Sequence, residues 1–147
     1  MSNPGAASTV SIHPSNLATN QALRLIAVVK GLNLAAAGDT TASVINTSAF
    51  LPVRVLIANA NNAGANVDVS AVEVGVYPAA SKGGTSILTA AALTSQTTTT
   101  YVTSSAASNA NTAQTAQVLY FNVGGTVATA TADVYVYGYD LTGPQTN

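Results

Sequence analysis

Apolar and polar positions alternate along much of this chain with a period of two, the signature of β-strands rather than helices. The alternation is clearest in ATATADVYVYGYDL, where Tyr135, Tyr137 and Tyr139 fall on one face and Val134, Val136 and Gly138 on the other. QVLYFNV, residues 117–123, is a second such strand, ending at Gly124 and Gly125. Leu51–Asn59 is a third, with Val53, Val55 and Ile57 sharing a face and Pro52 expected at its start or on a sheet edge. ALRLIAVVK, residues 22–30, is apolar and β-branched enough for a strand, although its length alone also suits a short buried helix. Shorter strands are expected over Ala42–Ile45, over Thr85–Thr89 and in TTTTYVTSS around Tyr101.

The interruptions set the connections. GLNLAAAG, between Gly31 and Gly38, is expected as a loop, as are NANNAGAN (59–66) and Pro78–Gly84, because Asn and Gly tolerate positive φ and Pro lacks an N–H. Between Asn66 and Tyr77 the apolar phase slips, with Val67 and Val69 in one register and Val72, Val74 and Val76 in the other. That slip predicts one bent strand with a β-bulge near Ser70 and Ala71. AAALTSQ, residues 90–96, suits a helical turn, and Ser104–Thr115, poor in bulky residues, a mobile loop. Pro4, Gly5 and Pro14 deny the first twenty residues a sustained period. The expected organisation is an extended arm over 1–20, a single domain over 21–142 and a polar tail over 143–147. About eight strands with no amphipathic helix between them predict an all-β fold, an antiparallel β-sandwich of jelly-roll type.

Composition narrows the chemistry. Only 6% of the 147 residues are charged, four basic and five acidic, for a net charge of −1, against about 25% in an average soluble protein. No basic footprint exists for a phosphate backbone or an anionic bilayer, so neither nucleic acid nor membrane is expected as a partner. With no Cys there is no thiolate, disulfide or sulfur-ligated metal. His13 is the single histidine, placed in the arm, and Asp39, Asp68, Glu73, Asp133 and Asp140 show no metal-loop spacing. No G-x-S-x-G elbow or Walker ending is present, and Asp68 and Glu73 are expected as solvent-facing strand carboxylates rather than a catalytic pair. We therefore expect no enzyme, cofactor or metal. Weak charge repulsion favours self-association, and the ladder of Tyr135, Tyr137 and Tyr139 suits cross-strand packing or an interface.

Four features together resemble a known class: the short polar arm, a Gly38-Asp39-Thr40 loop, GVYPAASKGGTSIL at 75–88 and ADVYVYGYDL at 132–141. They are similar to the small β-sandwich proteins of tailed bacteriophages that decorate or cement the capsid. That resemblance implies a structural virion protein, made in the host cytoplasm and carried on the outer capsid surface. Its partners would be the major capsid protein and further copies of itself, with a trimer favoured, and it would have no catalytic residues. Capsid or subunit contacts are then expected from Val10, Ile12, His13 and Leu17 of the arm. The alternatives are a glycan-binding or structural module of a phage tail fibre or spike, and a cell-surface pilus or adhesin subunit.

Overall fold

The computed structural model describes residues 22–142. They form nine strands: β1 (Arg24–Asn33), β2 (Gly38–Ser43), β3 (Phe50–Asn62), β4 (Ala65–Asn66), β5 (Glu73–Tyr77), β6 (Leu88–Ala92), β7 (Val102–Ala106), β8 (Val118–Gly124) and β9 (Thr131–Asp140). One sheet runs β1-β9-β3, with β7 and the two-residue β4 sharing the far side of β3; the other runs β2-β8-β5-β6. All pairings are antiparallel. Every connection except the hairpins β3–β4 and β5–β6 changes sheet, so β1-β9-β3-β7 faces β2-β8-β5-β6 in the strand order of a jelly roll.

The core between the sheets follows from the period of two. Ile26, Phe50, Val55, Ile57, Val134 and Val136 point inward from the first sheet, and Val74, Val76, Leu119, Phe121 and Val123 from the second. Each of the larger side chains contributes about 1.5–3 kcal/mol by leaving water. Leu34, Val69, Val72, Ile87 and Leu93 close the ends from the connections. The fully buried Gln96 ties one connection to the sheet, its Nε2 donating to the Ile57 carbonyl at 2.9 Å.

Several expected boundaries move. The GLNLAAAG loop shrinks, because β1 continues to Asn33 through a register shift between Val29 and Leu32 in which Gly31 takes φ +64°. Gly38-Asp39-Thr40 is the start of β2, not a loop. NANNAGAN is largely strand: β3 extends to Asn62 and turns tightly through Ala63 and Gly64, both at positive φ, into β4. The phase slip before Tyr77 is a complete break instead of a bulge. Asp68 accepts the Ser70 N–H at 2.9 Å and Val72 donates to Val69, a turn that carries the chain from one sheet to the other. Asp68 is therefore not a strand carboxylate. Val53 falls in the irregular step between Pro52 and Arg54, which separates it from the buried Val55 and Ile57. Ala90–Ala92 belongs to β6, and the expected helical turn shrinks to one tight turn in which the Gln96 N–H donates to the Leu93 carbonyl at 2.7 Å. Ser104–Ala106 completes β7, and the connection after it is tethered by Ala107 to Val53, by Ser108 to Ile87 and by Gln114 to Phe50.

Candidate functional site

The outer face of the β1-β9-β3-β7 sheet gathers the residues best suited to meet another molecule. β9 is central, so its outward tyrosines have neighbours on both sides. Tyr135 lies across from Val28 and Leu56, Tyr137 from Leu25 and Arg54, and Tyr139 from Leu51. All three tyrosines are half-buried. The rings of Tyr135 and Tyr137 stack with centroids 6.5 Å apart and planes 18° apart, within the offset arrangement that aromatic pairs prefer. The three-tyrosine face expected from the alternation is thus present, walled by aliphatic side chains.

One end of this face is pinned by Asp133, two residues before Tyr135 on the same face. Its carboxylate accepts from the Gly31 N–H at 2.9 Å, Asn59 Nδ2 at 3.1 Å and Lys30 Nζ at 3.2 Å. Lys30 also donates to the Tyr135 hydroxyl, and its Nζ lies 4.5 Å from the ring centroid. Partial burial works to raise the Asp133 pKa, but the bonds from Gly31, Asn59 and Lys30 together outweigh it and hold the carboxyl below its ordinary range. The Tyr135 hydroxyl and Asp133 in turn raise the Lys30 pKa. An exposed ion pair and the bonds from Gly31 and Asn59 thus meet on one carboxylate at this end. Arg54, in the middle of the face, is exposed and has no ion-pair partner among the described residues.

Beyond Tyr139, β9 ends at the buried Asp140, which pairs with Arg24 at 2.7 Å and takes hydrogen bonds from the Thr47 hydroxyl and the Thr142 N–H. Burial opposes its charge, yet the bonds from Thr47 and Thr142 and the Arg24 guanidinium keep its pKa below the usual value. Asp39, on the outer face of the opposite sheet, is held low by Asn122 and then by the Ser81 N–H, at 2.6 and 2.7 Å. Asp68 is held low by Ser70. Each of these four carboxylates is thus tuned away from the near-neutral pKa that general acid–base chemistry favours. Among the described residues no three metal-ligating side chains come together.

No family model, curated protein or solved structure matches the chain. What the site can do is therefore read from its own geometry: among the described residues it presents aromatic and aliphatic area, the guanidinium of Arg54 without an ion-pair partner and no reactive pair. Tyr135, Tyr137 and Tyr139 are brought together as the alternation predicts. Val10, Ile12, His13 and Leu17 lie outside the described residues, as does the tail 143–147. Lys30, Arg54, Asn59 and Asp133 were not singled out for this face. Asp133 shares the tyrosines' phase and carried a usable signal, whereas Lys30, Asn59 and Arg54 reach the face through strand register, which no local pattern encodes.

Proposed function

We propose that this chain is a structural virion protein that binds the outer surface of a phage capsid and stabilises the shell by bridging capsomers. The observation that carries the reading is the outer face around Tyr135, Tyr137, Tyr139 and Arg54, since tyrosine and arginine set in a partly desolvated aliphatic wall are the residue types that dominate protein interfaces. The jelly-roll body and the sparse charge support the same reading, with fold-level likeness weighing less than the face. The partners are the major capsid protein and further copies of the chain, with neither nucleic acid nor membrane required. The protein is made in the host cytoplasm and ends on the virion. The arm, with Val10, Ile12, His13 and Leu17, supplies a second attachment: deleting residues 1–18 leaves the body folded and weakens its hold on the shell.

A second reading, a glycan-binding module of a tail fibre or spike, draws on the stacked pair Tyr135 and Tyr137, a platform on which a sugar ring can lie. Immunogold labelling of intact virions with an antibody against residues 22–142 separates the two. Label over the heads is expected. Label confined to the tail supports the glycan reading, and virions without the protein overturn both.

A further inference from the structure

The sandwich has four long outer strands, β1 and β7 in one sheet and β2 and β6 in the other, and three of them are guarded. β1 has two register shifts, carries Lys30, and has its Ile26 carbonyl taken by the Ile45 N–H at 2.8 Å. β2 carries Asp39 and opens on Gly38 at φ +137°. β6 pairs irregularly with β5, and its Thr89 and Ala90 N–H groups are capped by the Ser108 and Tyr77 hydroxyls at 2.8 and 3.0 Å. Charges, bulges and side-chain caps are the devices by which sheets avoid edge-to-edge pairing.

β7 has none of them. It runs in regular register against β3 with no charge and no proline, and among the described residues its backbone bonds only to that strand. Its exposed flank includes Tyr101 at 50% and Val102 at 46% exposure. It also lies within Gly83–Ala132, a stretch without a single charged residue. We infer that β7 is the seam of a two-fold dimer, in which β7 of one copy pairs antiparallel with β7 of a second copy and joins the two β1-β9-β3-β7 sheets into one.

The occupant follows from the count of open edges. Strand addition needs an open edge on each partner, and among its described residues a copy of this chain offers one long one. Two copies therefore satisfy each other and leave none, which closes the assembly at a dimer and prevents a filament. The trimer implied by the resemblance would need a different surface. β7 is also self-compatible. Antiparallel pairing centred on Ser104 sets Val102 against Ala106 of the second copy, Thr103 against Ser105, and Ser104 against itself, all small or uncharged. Val102, Ser104 and Ala106 lie across from Ala58, Leu56 and Arg54 on the outer side of β3, so pairing also makes the two tyrosine faces continuous. This goes beyond the proposed function, and it is tested in solution without a capsid.

Because like charges directly opposite each other across a strand pair destabilise it, the test is a charge swap at exposed positions, read by sedimentation velocity of the full chain at micromolar concentration. The wild type is expected as a dimer. The double variant Val102→Lys with Ser104→Lys is expected as a folded monomer, and so is Val102→Glu with Ser104→Glu. An equimolar mixture of the two is expected to recover the dimer. Circular dichroism and thermal unfolding show that each variant is folded, and a variant that fails this check is replaced by Ser104→Lys and Ser104→Glu alone. A dimer that survives both double variants overturns the seam, as does a mixture that stays monomeric. A wild type that is trimeric or monomeric also overturns it. In the monomeric case, dimerisation on removal of residues 1–18 identifies the chain's own arm as what covers β7.

Discussion

The two outer faces of the sandwich are built on the same strand geometry and end up chemically opposite. Over the β2-β8-β5-β6 sheet most outward residues are short and polar, Asp39, Thr41 and Ser43 on β2, Asn122 on β8 and Glu73 on β5, with Val118 and Tyr120 of β8 as larger exceptions. The large side chain Tyr77 folds flat over Gly75, is only 5% exposed, and accepts the Ala90 N–H. It is absorbed into its own sheet. Over the β1-β9-β3-β7 sheet three tyrosines stand in a row on the central strand, only Tyr135 has its hydroxyl engaged by neighbours among the described residues, and the flanking strands supply Leu25, Val28, Leu51 and Leu56. Composition alone does not make a sheet face available. A tyrosine that shares its face with a glycine two residues away can close onto its own backbone, whereas tyrosines at alternate positions pack against one another and leave area for a partner.

The largest expected effect tests the strand that carries the tyrosines. Gly138 alternates with them and turns inward, where an added Cβ collides with the Leu51 carbonyl oxygen and meets Ile26 Cγ1 at 3.2 Å. Backbone oxygen has little room to yield, so Gly138→Ala is expected to cost about 3 kcal/mol by overpacking, measured by urea unfolding. Asp140→Asn at the end of the same strand is expected to cost about 2 kcal/mol at pH 7, because it leaves the partly buried Arg24 without its counter-charge. That cost has a defined pH window. A carboxylate whose folded pKa lies below its unfolded value of about 3.9 adds stability above that value and loses it as pH falls through the folded pKa. The gap between wild type and Asp140→Asn should stay constant from pH 8 to 5 and close below about pH 4.

On the opposite face the equivalent substitution is milder. Gly75→Ala brings a Cβ to within 2.6 Å of Tyr77 Cε2 and 3.0 Å of the Ala90 nitrogen. The ring can swing away at the expense of its bond to Ala90, for an expected cost of about 1–2 kcal/mol. Freed, Tyr77 should become reactive to a solvent-borne tyrosine modifier. If Gly75→Ala leaves Tyr77 as unreactive as in the wild type, the contrast between a closed and an open face is wrong. Tyr137→Ala should barely move the unfolding midpoint, since the ring is half outside the core, while attachment to the partner is lost.

The sequence showed the fold class because its signal is local. Alternation in Gln117–Val123 and in ADVYVYGYDL reports which side of a strand is wet, and the jelly-roll order is a packing solution for about eight such strands. Where it misled, the deciding interaction was distant or single. The slip at Ser70 and Ala71 looks like a bulge until Asp68 is seen to turn the backbone by accepting the Ser70 N–H. Gly31 looks like the start of a loop because positive φ is common there, but β9 continues to pair with Leu32 and Asn33 beyond it. The tyrosine row was legible, since all three residues lie on one strand. The Asp133 anchor was not, since Lys30 and Asn59 arrive from β1 and β3 more than seventy residues away.

The central claim is that the tyrosine face, and not the face bearing Asp39 and Asn122, meets the partner. Both faces carry a half-buried tyrosine as an internal reporter, Tyr120 on β8 and the row on β9. Hydroxyl-radical footprinting of the free protein and of the protein on intact virions compares them in one experiment. Modification of Tyr135, Tyr137 and Tyr139 should fall several-fold on the virion while that of Tyr120 stays unchanged. Protection of Tyr120 with the row still fully reactive would contradict the account.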